Sequence, residues 1–398
     1  MHTLMISLDP SLLQPDSAAR RRHTELARRA GSLTVLVRAK SGSTSVIRDA
    51  TGESTLTLIP FVAASPVAIV PRALGALRHV SLPVDLVVTQ DMLLSAVIGV
   101  IAARRMRNTA GEHPPLLVQS HTTLFDNAAW MAEAPLQRRV MQWIAAWVLR
   151  RADGVRTVNA HEQAAIVRRG FPAERVECLP LGTASRTFVD PPQVLIDAAR
   201  RELGLQADDR VLLWVGHPLG VKRVPLLFPI LKRVLAEVPT ARLVLIGIQP
   251  DQEARLRPII EAEGTADRVI VHGPVPHDQL PAYYALADVY TLSSSYEGLP
   301  RVLFEAGAAG IPTVAFDVPG VNEILQDGVN GWLAPEGDLD AFAKAVCRTL
   351  TDPSLAHEAG QRARQIAFER YGADEYPDRW AALWRRAIER GRRSKGRA

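Results

Sequence analysis

Short apolar runs recur along the chain, and helix-length amphipathic stretches lie between most of them. In the first half the runs fall at residues 4–8, 33–37, 56–60, 86–89, 116–119 and 155–158, with helical patterns at 18–30, 93–107 and 136–150. A second series follows Asp190-Pro191-Pro192. Its runs at 211–215, 241–246, 269–271, 289–292 and 313–316 alternate with helical patterns at 223–237, 251–263, 280–287 and 301–309. Short continuous apolar runs suit strands buried on both faces, and helix-length spacers between them predict βαβ units in a largely parallel sheet. Two such series predict two Rossmann-like, doubly wound α/β domains, residues 1–185 and 186–373, with the junction inside 181–193. The segment 374–398 reads as a last helix over 374–390 and a basic tail. Tyr376, Trp380, Leu383, Trp384 and Ala387 share one face of that helix, which either crosses back to the N-terminal domain or packs on its own.

A length of 398 residues exceeds one ordinary core, and the 47% hydrophobic and 22% charged composition is that of a globular protein. Cys178 and Cys347 are the only cysteines, which excludes a disulfide framework and a thiolate metal site and fits a reducing cytoplasm. The first ten residues lack the basic start and apolar run of a secretory signal. The longest apolar stretch, 92–103, falls short of the ~20 residues that span a bilayer, so a soluble or peripheral protein is expected.

Charge is unevenly placed: residues 1–185 carry +7, 186–384 carry −8 and 385–398 carry +6. A basic N-terminal half suits an anionic acceptor or the anionic inner face of a membrane, or is simply solvated surface. Around the helical pattern at 136–150, Trp130, Trp143 and Trp147 stand near Arg138, Arg139, Arg150 and Arg151. They read either as peripheral membrane contact or as core, with core the favoured reading. No basic run is interleaved with aromatics, so nucleic acid is not an expected partner.

The densest chemical signal is Ser295-Tyr-Glu-Gly-Leu-Pro-Arg-Val-Leu-Phe-Glu-Ala-Gly-Ala-Ala-Gly310. Pro300 suits the first turn of a helix, which puts Glu297 in the loop at a strand's carboxyl end and Glu305 on the helix. Ligands of open α/β sheets bind beyond those strand ends, and a carboxylate can accept from both hydroxyls of a diol. By spacing alone, surface charge is the favoured reading of the two glutamates. In Trp214-Val-Gly-His-Pro-Leu-Gly-Val-Lys-Arg223, Gly216 permits a sharp turn and Lys222 could reach a phosphate from the start of the next helix; a turn glycine and a solvated lysine are the plain alternative. In Phe316-Asp-Val-Pro-Gly-Val-Asn-Glu323, the N–H groups from Gly320 and Val321 onward face an anion or close an ordinary turn. Gln119-Ser-His-Thr-Thr123 sets His121 just past a strand of the first series, as a structural or a catalytic residue.

Taken together, in this order, these residues resemble the retaining family 4 glycosyltransferases of the GT-B fold. The resemblance runs through most of 205–340, including Val271-His-Gly-Pro-Val-Pro-His-Asp-Gln-Leu280, Ala287-Asp-Val-Tyr290 and Gly328-Val-Asn-Gly-Trp332, and is looser over 80–185. It implies two Rossmann-like domains facing across a cleft, a nucleoside-diphosphate sugar as donor, no metal and no other cofactor. It also implies roles. Glu305 would hold the ribose hydroxyls, and Glu297, with the amides of Gly298 and Leu299, the donor sugar. Lys222 would neutralise the diphosphate, with Gly216, His217, Arg223, Gly320 and Val321 around it. The base would rest against Pro274, Val275 and Pro276, and His121 would lie near the transferred sugar. The acceptor would be a glycan, a lipid-linked sugar or a small molecule. Two departures are visible: His217 stands where the family usually has arginine, and Leu8-Asp-Pro-Ser-Leu12 stands where it often has a glycine pair. A sugar-nucleotide epimerase, a glycoside phosphorylase and a non-catalytic nucleotide-sugar-binding subunit share the architecture and remain alternatives.

Overall fold

In the computed structural model, which describes residues 1–42, 44–51, 54–121, 124–126, 131, 134–182, 186–218, 220–372 and 375–395, the apolar runs become strands of two separate sheets. The chain divides after Pro180 into two units of contact.

Unit 1 holds β1 (His2–Ser7), α1 (Ala18–Ala30), β2 (Ser32–Ala39), β3 (Ile47–Thr51), β4 (Ser54–Val62), α2 (Pro66–Ala76) and β5 (Leu86–Thr89). It continues with α3 (Leu94–Arg105), β6 (Leu116–Ser120), α4 (Pro135–Leu149), β7 (Gly154–Thr157), α5 (Ala160–Arg168) and β8 (Val176–Cys178). The strands pair in the order β3-β4-β2-β1-β5-β6-β7-β8, all parallel except the edge pair β3 and β4. Alternation along β1 sends Leu4 and Ile6 into one core with α2, α3, α4 and α5, and Met5 into a second core with α1.

Unit 2, from Leu181, holds α6 (Gln193–Glu202), β9 (Arg210–Val215), α7 (Leu227–Glu237), β10 (Ala241–Ile246), α8 (Pro250–Glu263), β11 (Val269–His272) and α9 (Leu280–Tyr284). After these come β12 (Val289–Leu292), α10 (Arg301–Ala309), β13 (Thr313–Phe316), β14 (Gly331–Ala334), α11 (Leu339–Thr351) and α12 (Pro353–Tyr371). Its sheet is parallel throughout, in the order β11-β10-β9-β12-β13-β14, around a core containing Trp214, Phe228, Tyr284, Tyr290, Phe304, Phe316 and Phe342. The helix expected over 223–237 begins only at Leu227. Arg223 is left-handed (φ 44°, ψ 40°), and a 3-10 turn opened by Val224 and Pro225 intervenes, so neither Lys222 nor Arg223 lies on that helix.

The last helix, α13 (Tyr376–Lys395), returns to unit 1. Ala381, Leu383, Trp384, Ala387 and Ile388 join α1 in covering the second core. Beneath them lies Arg156 of β7, fully buried and without a carboxylate partner among the described residues. It donates to Gln119 Oε1 (2.8 Å), to the Leu179 carbonyl (2.7 and 2.9 Å) and to the Tyr376 hydroxyl (3.0 Å), and its guanidinium lies 4.9 Å from the Trp380 ring centroid. Removing α13 would leave that cation with fewer bonds in a dry interior, a costly state.

The favoured placement of the tryptophans in the N-terminal core is corrected for Trp143, which is 66% exposed; Trp147 is half-buried and packs against that core, and Trp130 lies outside the described residues.

Trp384 is fully buried in the core of unit 1, so Trp384→Ala is expected to cost about 3–5 kcal/mol. The loss should fall on unit 1: hydrogen exchange should show β1 and β2 losing protection while β9 and β10 keep theirs.

Candidate functional site

The strand order of unit 2 creates a switch point between β9 and β12. From β9 the chain proceeds outward through β10 to β11, then returns to β12 on the other side. Connections leaving the carboxyl ends of β9 and β12 diverge, and the crevice between them is where open parallel sheets take ligands. Gly216, His217, Lys222 and Arg223 follow β9, and Glu297, Gly298 and Leu299 follow β12. Pro274 and Val275 follow β11, and Gly320 and Val321 follow β13. The topology thus brings the expected residues of unit 2 to one edge of one sheet.

Side chains close the arrangement. Lys222 Nζ lies 2.6 Å from Glu297 Oε1, and the Ser294 hydroxyl donates to the same oxygen at 2.6 Å. Glu305 is buried on α10, which removes the reading of it as a surface residue. Its Oε2 accepts from the Tyr284 hydroxyl at 2.9 Å, and Arg301 Nη2 stands 3.9 Å from Oε1. Tyr284 stacks on Tyr290 at 5.9 Å between centroids, and the Tyr290 hydroxyl donates to the Val215 carbonyl at the end of β9. Burial, then the charges of Glu305 and Glu297, push the Tyr290 phenol well above its ordinary value, so both carboxylates act on this one buried ring.

Two glycines allow the loops to approach. A Cβ on Gly320 (φ 82°) would stand 2.2 Å from the Glu297 carbonyl oxygen, and the Glu297 N–H donates to the Pro319 carbonyl at 3.0 Å. A Cβ on Gly247 (φ 98°) would stand 2.4 Å from the Gly216 carbonyl oxygen. Any other residue at either position would push two loops of the site apart.

Arg223 does something the sequence did not indicate. Its Nε donates to the Ser293 carbonyl (3.1 Å), Nη2 to the Ser294 carbonyl (3.2 Å) and Nη1 to Glu336 (3.2 Å). In return the Ser293 hydroxyl lies within hydrogen-bond distance of the Lys222 and Arg223 carbonyls (2.8 and 3.1 Å), and the Ser295 N–H donates to the Val221 carbonyl (2.9 Å). Arg223 therefore ties the β9 loop to the β12 loop, in a left-handed backbone that non-glycine residues adopt at a cost. One other expectation changes. The N–H groups of Val321 and Asn322 donate to the Val318 carbonyl and are engaged in a turn rather than open to an anion. His217 is exposed, with Gln252 Nε2 at 3.3 Å from its ring nitrogens.

Unit 1 places His121 directly after β6. The residue is exposed, yet desolvation by surrounding protein and then the Arg156 charge lower its pKa to about 3, so it is neutral at pH 7. The loop that follows is held by a residue that sequence reasoning missed. Asn159-Ala-His-Glu162 has the spacing of a capping box, and Asn159 does cap α5 through the Glu162 N–H. The Glu162 carboxylate instead accepts from the N–H groups of Leu124 (3.0 Å) and Phe125 (3.2 Å) and from the Ser120 hydroxyl (3.3 Å). It is fully buried, and desolvation raises its pKa from 4.5 to about 7 against those bonds.

Comparison with known proteins follows this division. A family described as "Glycosyl transferases group 1" matches residues 196–366, and one described as "Glycosyl transferase 4-like domain" matches residues 17–182. The chain is 30% identical over 280 residues to an alpha-D-kanosaminyltransferase of Streptomyces kanamyceticus, covering 68% of this chain and 70% of that protein. It is 30% identical over 267 residues to a 2-deoxystreptamine N-acetyl-D-glucosaminyltransferase of Streptomyces fradiae, covering 66% of this chain and 61% of that one, less than two thirds of its length. Among solved structures, sucrose-phosphate synthase of Thermosynechococcus elongatus superposes with a TM-score of 0.78 at 22% identity over 98% of this chain and 99% of that one.

Two measurements check this geometry. Arg223→Gly and Arg223→Ala both lose the guanidinium, but only glycine relieves the positive φ. Chemical denaturation should therefore find the glycine variant more stable than the alanine variant by about 1 kcal/mol. For Glu162 the folded pKa lies above the unfolded one. Its favourable contribution is complete below pH 4.5 and is lost as pH rises through about 7. Glu162→Gln should lack this slope, so its stability relative to wild type should rise by about 3 kcal/mol between about pH 4 and about pH 8.

Proposed function

Because the chain belongs to the family 4 glycosyltransferases of the GT-B fold, we propose that it moves a sugar from a nucleoside-diphosphate sugar to an acceptor hydroxyl, with retention of anomeric configuration and without a metal ion. The observation that carries this reading is the contact of Lys222 with Glu297 across the switch point, with the buried Glu305 beside it. Glu305, held by Tyr284, accepts the ribose hydroxyls. Glu297, fixed by Ser294, orients the sugar. Lys222 leaves Glu297 for the incoming diphosphate and balances the charge that grows on it as the C1–O bond breaks. A preorganised cation at that point reduces the barrier because it needs no reorganisation when charge develops.

Gly216 and Gly320 bring backbone close to the diphosphate, and Pro274 and Val275 flank the base. Arg223 is a positioning residue in this scheme, since its donors are already engaged. The acceptor is a glycan, a lipid-linked sugar or a small polyhydroxylated molecule. The name of one relative, which cites 2-deoxystreptamine, supports the last of these. The two cysteines form no disulfide and fit a reducing cytoplasm, and no helix among the described residues is long and apolar enough to cross a membrane, which suits a peripheral relation to any lipid acceptor.

Donor turnover tests the assignments. Lys222→Ala is expected to lower kcat on the order of 10²–10³-fold. Glu305→Gln, which preserves the partnership with Tyr284, is expected to raise the donor Kd about tenfold or more by weakening the ribose contacts. Wild-type donor affinity in Glu305→Gln would refute the ribose role. A product of inverted anomeric configuration by NMR would refute retention.

A further inference from the structure

The α4 helix carries an apolar face that no described residue covers. Leu136 is 75% exposed, Val140 50% and Trp143 66%, and half-buried Trp147 continues the line to where it meets the core of unit 1. Their spacing of four, three and four residues places all four within a narrow stripe on one side of the helix. The opposite side is the buried one: Ala145, Val148 and Leu149 belong to the core of unit 1, and Gln142 donates to the Leu124 carbonyl there. The helix thus has two apolar faces, one inside and one outside. An outward tryptophan and leucine at such exposure mark a contact surface, because scattered exposed apolar residues do not align on one stripe of one helix.

The charges around the stripe choose the occupant. Arg139 and Arg150 lie along one flank by helical position and Arg151 along the other, all exposed, while Arg138 turns to the inward side and is half-buried. Residues 134–152 contain four arginines and no carboxylate. Arg151 lies over the Trp147 ring at 4.1 Å, which holds that indole at the edge of the stripe. A second copy of the chain, paired through the same face, would set arginine flanks against arginine flanks. An anionic lipid surface instead receives the apolar stripe at the level of the acyl boundary and the guanidinium groups among its phosphates.

We propose that α4 is a membrane-docking face that seats unit 1 on anionic lipid through Leu136, Val140, Trp143 and the flanking Arg139, Arg150 and Arg151. The surface shares no residue with the site in unit 2, so the proposal stands whether or not the transferase assignments do.

Flotation of the purified full chain with phosphatidylcholine vesicles, with and without about a third phosphatidylglycerol, tests it. Wild type should float with the anionic vesicles and not with the neutral ones, and salt should weaken binding. The triple variant Leu136→Ser, Val140→Ser, Trp143→Ser and, separately, Arg139→Gln with Arg150→Gln should each lower the partition coefficient at least about tenfold. Because these side chains are exposed, thermal unfolding and turnover with a water-soluble acceptor should stay at wild-type levels. Absence of wild-type binding to anionic vesicles overturns the proposal, as does equal binding by the serine variant. Sedimentation that shows a dimer dissolved by the serine substitutions overturns it in favour of a second copy.

Discussion

One contact organises the site: the ammonium of Lys222 against the carboxylate of Glu297, 2.6 Å apart, each side chain mostly out of water. Such a pair adds little net stability, because desolvating both charges offsets most of their attraction, while losing one partner leaves the other buried and uncompensated. Its consequence is geometric. Lys222 ends the turn after β9 and Glu297 lies in the loop after β12, so the contact can exist only if two loops that the topology sends apart are brought back together. The supporting details serve that convergence: the carbonyl clasp of Arg223, the missing Cβ at Gly320 and the serine hydroxyls at 293 and 294. The left-handed Arg223 is an energetic cost that the clasp requires, since a residue with normal φ would point its guanidinium elsewhere.

Much of this arrangement was legible in the sequence, for a physical reason. Strands of a parallel sheet are buried on both faces, so they appear as continuous apolar runs, and chemistry gathers at their carboxyl ends. What escaped was mostly of two kinds. Elements with weak or mixed patterns were missed: β8 has only three residues, α2 contains Pro66 and Pro71, and α5 opens with His161, Glu162 and Gln163. Details of backbone geometry were also missed. The pattern starts the helix after Lys222 too early because an arginine gives no sign that it will take positive φ. Nor does sequence reveal which turn carbonyl will claim the Val321 amide. Trp143 was favoured as core because periodicity says that residues share a face, not which of two apolar faces turns inward; on α4 the smaller residues do.

The return of α13 has consequences for unit 1. Arg156 sits in β7, where an apolar residue would be ordinary, and its bonds go to a carbonyl, an amide and a phenol rather than to a carboxylate. A buried cation satisfied in this way depends on every one of its acceptors. Because Tyr376 is one of them and Trp380 covers another side, the C-terminal helix belongs to the polar accounting of unit 1 as well as to its apolar core. The core of unit 1 is therefore completed only when α13 is in place, and unit 2 is an excursion between two parts of one fold.

The same Arg156 acts through its charge on His121. His121 follows the neighbouring strand, and Arg156 adds to desolvation in keeping that imidazole neutral. With His217 in place of an arginine and Arg223 committed to backbone carbonyls, Lys222 is the side chain of the unit 2 site best placed to offer positive charge. If Lys222 takes the diphosphate as proposed above, donor binding exchanges one ion pair for another and loosens the contact that now holds the β9 and β12 loops together.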